Sequence, residues 1–238
     1  DICQAENIWL HVDGAHGASV LVSDLHRHKV VGIERADSFV LDAHKMLFVP
    51  AMCTLLFYKN KQKSYGAFNQ DASYVFEKEP DAYTAFDSAE QNFECTKRPL
   101  IMNLWICWLI HGPELFTDKI NHLCHMTQQA YHLLVDSVDF SPLHMPEVNI
   151  LCFRYLPSDL AEEQVGNFQV ALRNIIRKKG TFFISKVDID EIGALRLVLM
   201  NHEIKLEHIK LLLDEIRTEG TALLNRVEHF KKPQLVNG

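Results

Sequence analysis

The feature that most constrains this chain is a pair of short apolar runs, each ending in small or chemically active residues, at the spacing of one α/β unit. Ile8 to Val12 is apolar and runs into Asp13-Gly-Ala-His-Gly-Ala-Ser19, a loop made almost entirely of small residues. A second strand-like run, Ser38 to Leu41, is followed by Asp42, Ala43, His44 and Lys45, and a third covers Cys53 to Tyr58. Between the first two runs, Ser23 is placed to cap an amphipathic stretch from Asp24 to Ile33. Strand, crossover and strand at this spacing predict an α/β unit with a parallel or mixed sheet. Ligands of such sheets bind beyond the carboxyl ends of the strands. Asp13 follows the first strand directly, and His44 and Lys45 follow the second, so a carboxylate, an imidazole and an amine are expected at one crevice.

Residues 60–97 are polar and irregular, with aromatics at Tyr65, Phe68, Tyr74, Phe76, Tyr83, Phe86 and Phe93. A loop of that length in a folded domain is either functional or mobile. A helical pattern begins at Pro99 and is interrupted by Gly112-Pro113, and a second helix is predicted from about Glu114 to Val135. The remainder reads as a smaller α/β unit. It has strands at Asn149–Tyr155, Thr181–Lys186 and Leu195–Met200, a helix from Ser158-Asp159 to about Lys179, a closing helix from Glu207 to Gly220 and a frayed tail from about Phe230.

Composition narrows the function classes. With 47% hydrophobic and 23% charged residues the chain is too apolar for intrinsic disorder. No stretch approaches the roughly 18–20 apolar residues that span a bilayer, so no membrane partner is expected. The net charge of −7 argues against nucleic acid as a partner. Six cysteines without a CxxC pair, several inside apolar runs, suggest buried thiols in a reducing compartment, and a cytoplasmic location is expected. The first residues, Asp-Ile-Cys-Gln-Ala-Glu, lack an initiator Met and read as the middle of a longer polypeptide. His26-x-His28 on a helix would point its two imidazoles apart, and no Cys or carboxylate set completes a tetrahedral site, so no metal is expected. Trp105 and Trp108 share a helical face, which suits a core or subunit interface.

Asp13 and Lys45 carry the chemistry. An amine forms an imine with an aldehyde only when neutral, so a catalytic lysine needs a shielded pocket. A pyridine cofactor is an electron sink only while its ring nitrogen is protonated, and a neighbouring carboxylate keeps it so. One Asp after one strand and one Lys after another meets both needs. Spacing alone is weak evidence, since any Asp/Lys pair also fits an ordinary surface ion pair.

The surrounding residues resemble a family. Trp9 to Ala18 (W-L-H-V-D-G-A-H-G-A), Ala36 to Leu47 (A-D-S-F-V-L-D-A-H-K-M-L) and Cys53 to Phe57 (C-T-L-L-F) resemble the pyridoxal-phosphate-dependent group II amino-acid decarboxylases. These include the glutamate, cysteine-sulfinate, diaminobutyrate and aromatic amino-acid enzymes. Cys95 to Trp105 is similar to the family's C-x-[RK]-R segment leading into a long helix, and Leu195-Arg196-Leu-Val-Leu to its late arginine-bearing strand. The resemblance implies an α/β fold of the aspartate aminotransferase-like type, fold type I of the pyridoxal-phosphate-dependent transferases. On that reading, 1–110 is the C-terminal part of the large cofactor domain, 111–145 a connecting helix, 146–230 the small α/β domain and 231–238 a tail.

By resemblance, pyridoxal 5'-phosphate is the cofactor, Lys45 its imine-forming lysine and Asp13 the partner of its ring nitrogen. Ala15 packs against a ring face, Asp42 and His44 match positions near the phosphate, and Arg196 matches the arginine that pairs with the substrate α-carboxylate. His16 matches a position often aromatic in relatives and borders the substrate pocket. Two departures stand out. Many relatives carry Asn at the Asp42 position, since an anion beside phosphate repels it. Phe86 matches the loop tyrosine that returns a proton after decarboxylation in the glutamate branch, which leaves nearby Tyr83 as the candidate donor. The family's N-terminal helices and phosphate-cradling Gly/Ser loop are not in the chain. It is therefore expected to be the carboxyl-terminal portion of a homodimeric decarboxylase acting on an L-amino acid. The alternatives are a non-catalytic fragment or interaction module with a partial cofactor pocket, and another fold-type-I enzyme such as an aminotransferase or lyase.

Overall fold

Apolar, β-rich runs bounded by small residues become the strands of the first half of the chain. In the structure, a computed structural model, residues 1–68, 93–94 and 97–232 are described. They divide into two units, Asp1–Ile120 and Asn121–Gly238. In the first, a short helix α1 (Ile2–Ala5) precedes β1 (His11–Asp13), β2 (Ser38–Asp42) and β3 (Thr54–Tyr58). The sheet is mixed, in the order β1-β2-β3, with β1 parallel and β3 antiparallel to β2. Asp13 lies opposite Val40, and Asp42 opposite Thr54. The register also sets Phe39 across from Phe57, whose rings stack with centroids 4.5 Å apart.

The crossover differs from expectation. Asp24 to Ile33 is no α-helix. The segment between β1 and β2 is a series of 3-10 turns, Gly17–Val22, Arg27–Val30 and Ile33–Arg35, and Ser23 closes the first of them instead of opening a helix. Three consecutive residues, Ala18, Ser19 and Val20, are buried, whereas Leu25 and Val31 point to solvent. A helix of this length needs an apolar face packed against something, and residues 24–31 bury none.

The polar stretch after β3 begins with α2 (Gln62–Phe68), a helix that the sequence did not announce. Tyr83, Phe86 and Cys95 lie outside the described residues. α3 (Ile101–His111) and α4 (Glu114–Val135) fall where the periodicity placed them, and the division between the two units falls within α4. Trp108 stacks on Phe116 at 5.1 Å, but Trp105 is 54% exposed.

The second unit is built on an antiparallel sheet of β4 (Phe140–Pro142), β5 (Ile150–Tyr155), β6 (Ser185–Ile189) and β7 (Ile192–Val198), in the order β4-β5-β7-β6. Ser141-Pro142 reads in sequence as punctuation. It pairs all the same, because β4 is an edge strand, where a proline costs no ladder bond on the open side. α5 (Val165–Lys179) presents Phe168, Leu172 and Ile176 on one face. α6 (Leu206–Arg226) runs longer than predicted and buries Ile209, Leu212, Leu213, Ile216, Leu223 and Leu224. Buried Gln169 accepts from the Tyr155 amide and donates to its carbonyl. Thr181–Ile184 stays outside the ladder, and Phe183 sits under Arg177 with the guanidinium 5.6 Å from its ring. Phe230 is no frayed end. It is buried against Phe168, and Lys231 bridges to Leu160.

One ion pair in this unit sets an expectation for acid stability. The Arg217 guanidinium donates to both oxygens of Asp139, from Nε at 2.7 Å and from Nη2 at 2.9 Å. Those hydrogen bonds outweigh burial and hold the Asp139 carboxyl below its ordinary value of 3.8. A depressed carboxylate contributes stability that is complete above its unfolded value and lost as pH falls through its lower folded one. Arg217 is 37% exposed, so solvent screening limits the contribution to about 1 kcal/mol. Asp139→Asn is therefore expected to lower the unfolding free energy by that amount near about pH 7, and by less near about pH 3. Urea melts at the two pH values check this. An equal penalty at both would remove the pair from the account.

Candidate active site

The parallel pairing of β1 and β2 brings their carboxyl ends side by side, and the sequence-predicted residues of the first unit follow those ends. After Asp13 the chain turns tightly: the Gly14 amide donates to Val12 O at 3.0 Å, and the Ala18 amide to Gly14 O at 2.9 Å. Gly14 is required there. A Cβ on it would stand 2.7 Å from the Ala18 Cβ and 2.9 Å from Val40 O. Asp13 is exposed, and its Oδ1 accepts from the Ala15 amide at 3.1 Å. Among the described residues its second oxygen has no hydrogen-bond partner. The Ala15 carbonyl accepts from the Asp42 amide at 3.0 Å, which ties this loop to the end of β2.

Beyond β2 the chain folds back on itself. The Lys45 amide donates to Asp42 O at 3.1 Å and the Val49 amide to Ala43 O at 3.3 Å. Between them Phe48 takes φ +60°, a left-handed conformation that costs a residue with a side chain roughly 1–2 kcal/mol. Lys45 Nζ lies 2.8 Å from Asp42 Oδ2, and Thr54 Oγ1 donates to Asp42 Oδ1 at 2.6 Å. Asp42 is buried, which by itself raises its pKa. The hydrogen bonds from Lys45 and Thr54, with the Lys45 charge, outweigh burial and hold the carboxyl below the usual range.

His44 Nδ1 lies 3.1 Å from the Cys53 amide and 3.0 Å from the Cys53 carbonyl. The carbonyl already accepts from the Ala43 amide, whereas the buried Cys53 N–H has no other acceptor among the described residues. A buried N–H needs a partner, so Nδ1 is the acceptor and Nε2 carries the proton, 3.9 Å from Asp42 Oδ2. Burial pushes the Cys53 thiol up, and the Asp42 charge adds to this.

Asp13, Ala15, Asp42, His44 and Lys45 thus gather at two adjacent strand ends. His16 follows on the same loop, half-buried, at the start of the first 3-10 turn. Tyr83 lies outside the described residues. Arg196 belongs to the second unit, on β7 opposite Cys152 and Ser185. Among the described residues its guanidinium has no acidic partner. Thr54 and Phe48 shape the Lys45 turn and went unnoticed in the sequence. Only the pairing of β3 with β2 reveals Thr54, and nothing in Met46-Leu-Phe-Val49 signals a left-handed residue. Two cavities, of about 500 and 350 Å³, lie at the other end of the sheet, around Leu10, Asp37 and Lys59 and around Trp9, Ser38 and Tyr58, and include none of these residues. Among the described residues no group of three or more His, Cys, Asp or Glu could hold a metal ion, and no helix is long and apolar enough to cross a membrane.

Comparison with known proteins identifies the family. A family model described as the pyridoxal-dependent decarboxylase conserved domain matches residues 1–156. The acidic amino acid decarboxylase GADL1 of Mus musculus is 28% identical over 233 residues, which cover 92% of this chain and 42% of that protein. Its counterpart in Homo sapiens is 29% identical, over 92% and 44%. The crystal structure of mouse CSAD in apo form superposes with a TM-score of 0.83 at 26% identity, over 92% of this chain and 47% of that one. The chain spans less than half the length of the relatives it matches.

Proposed function

The chain belongs to the pyridoxal-dependent decarboxylase family, and from that premise we propose that it is the Lys45-bearing portion of an enzyme that releases carbon dioxide from an L-amino acid with pyridoxal 5'-phosphate as cofactor. The observation that carries this reading is the placement of Asp13 and Lys45 after neighbouring parallel strands. The donor set suits the cofactor. It offers a primary amine, a carboxylate oxygen that has no partner among the described residues, and a small residue, Ala15, whose carbonyl accepts from the Asp42 amide at the end of β2.

Bound there, pyridoxal phosphate supplies an electron sink for the pair left on Cα when the carboxylate departs. Lys45 provides the amine that anchors the cofactor. Asp13 holds a proton at the ring nitrogen, and Ala15 leaves room for a ring face. His44, through the proton on Nε2, is a donor for the phosphate. Asp42 is a poor one, because it is ionised and both its oxygens are engaged. Arg196, on the second unit, is by resemblance the candidate for the substrate α-carboxylate, a task suited to a planar fork of donors. The names of the two GADL1 relatives make acidic amino acids the first substrate class to test. The complete enzyme is read as a homodimer, and the exposed apolar side chains of α3, among them Met102, Trp105 and Leu109, support burial against further polypeptide.

The test is an absorbance titration of the purified chain with pyridoxal phosphate, followed by borohydride reduction and peptide mapping. A band near about 420 nm, trapped on Lys45 and lost in Lys45→Ala, is expected. Label scattered over surface lysines, with none on Lys45, would instead leave the chain as a non-catalytic module.

A further inference from the structure

We propose that Asp42, pinned by Thr54, is a positioning residue that fixes the Lys45 amine at the strand end and restrains its attack on a carbonyl until the ion pair opens. This rests on the reading of Lys45 as the cofactor lysine and names a control on that same residue.

The argument starts from the register. Asp42 and Thr54 are directly opposed at the end of the antiparallel β2–β3 pair. The threonine hydroxyl therefore reaches one carboxylate oxygen, at 2.6 Å, and turns the other toward Lys45, at 2.8 Å. The Asp42 side chain is 12% exposed and that of Lys45 35%, so the pair is partly shielded from water. Shielding strengthens a charge-assisted hydrogen bond relative to an exposed one. His44 Nε2, at 3.9 Å from the same oxygen, is too distant to replace Lys45 as a hydrogen-bond donor.

The chemistry follows from where the proton sits. For Lys45 to condense with an aldehyde, its ammonium must release a proton to solvent. The freed nitrogen lone pair then bonds to the carbonyl carbon, and the carbonyl oxygen leaves as water. The Asp42 carboxylate holds the Lys45 donor in line with itself at 2.8 Å, so the amine must leave that hydrogen bond before its nitrogen can reach a carbonyl carbon. Asparagine at this position would accept the same hydrogen bond without the charge. Valine at position 54 would keep the charge but release the carboxylate from its fixed orientation.

Reductive methylation with formaldehyde and cyanoborohydride reads the amine directly and needs no cofactor. Formaldehyde supplies the carbon and cyanoborohydride the hydride that reduces the imine. Peptide mass mapping gives the methylation rate of Lys45 relative to Lys186, an exposed lysine of the second unit. Asp42→Asn is expected to raise this ratio about tenfold, the equivalent of one charge-assisted hydrogen bond. Thr54→Val should raise it several-fold, and Thr54→Ser, which restores the hydroxyl, should return it to the wild-type value. An unchanged ratio in Asp42→Asn, or Thr54→Val matching Thr54→Ser, overturns the proposal. Should Asp42→Asn fail to fold, the two Thr54 variants decide it alone. Failure of the functional reading is separable. Ratios that move as stated while wild-type Lys45 traps no pyridoxal phosphate sink that reading and leave the positioning role standing. Trapping with unmoved ratios does the reverse.

Discussion

Asp13→Asn is expected to retain borohydride-trappable pyridoxal phosphate on Lys45 while lowering carbon dioxide release from an L-amino acid by roughly 10- to 1000-fold in the complete enzyme. The range is that of a carboxylate within hydrogen-bonding or near-contact distance of a titrating nitrogen, which moves the proton equilibrium by about 1–3 pKa units. Asparagine is the informative substitution because it separates charge from shape. Its side-chain oxygen can still accept from the Ala15 amide, so the tight turn that follows β1 keeps its hydrogen bond. Asp13 is exposed, and neutralising it leaves no stranded partner in its place. Cofactor capture and turnover should therefore part company. Trapping on Lys45 measures the first, and release of labelled carbon dioxide the second. Turnover equal to wild type would show that the β1 carboxylate does not serve the ring nitrogen. Parallel loss of trapping would show that it serves the fold.

Gly193→Ala is expected to be a costly single methyl in the second unit. Gly166, in the first turn of α5, and Gly193, in β7, meet backbone to backbone. A Cβ on Gly193 would stand 2.6 Å from Gly166 O and 3.2 Å from the Gly166 carbonyl carbon, and a Cβ on Gly166 would stand 2.9 Å from the Gly193 amide nitrogen. No rotamer relieves a clash with main chain, so helix and sheet must separate. That separation loosens the packing of Phe168 and Leu172, both fully buried. Overpacking of this kind costs about 3 kcal/mol, which for a chain of this length is a fall in Tm of roughly 6–12 °C. Gly17→Ala is the control, since a Cβ there meets nothing within 4 Å. Urea melts of the two variants give the comparison, and coincident midpoints would mean that the α5–β7 contact is softer than its geometry indicates.

Both expectations depend on features with different visibility in the sequence. Asp13 stands out because it ends an apolar run and opens a loop of small residues, and both signals are local. Gly193 does not, because its requirement comes from Gly166, far away in the chain. The same contrast runs through the candidate site. Lys45 and His44 are legible as residues that follow a strand. Thr54 is an unremarkable β-branched residue until the register of β3 sets it opposite Asp42. The amphipathic look of Asp24 to Ile33 misleads for the same reason: periodicity describes a face, but only packing supplies something for that face to cover. Phe230 is the converse, a residue in a polar tail that Phe168 buries.

What the sequence by itself determined was local: the small-residue loop after β1, the strand before Lys45, the extent of α4, and the carboxylate, imidazole and amine at the ends of the strands. Those follow from side-chain size, backbone preference and spacing, which act over a few residues. The tertiary structure alone decided which strands are neighbours and in what register. It thereby decided that Asp42 holds Lys45, that His44 keeps its proton on Nε2, that the crossover coils in 3-10 turns and that α5 touches β7 through two glycines. Each of these depends on a contact between residues distant in the chain, where shape and hydrogen-bond satisfaction select one arrangement among the many that local preference allows.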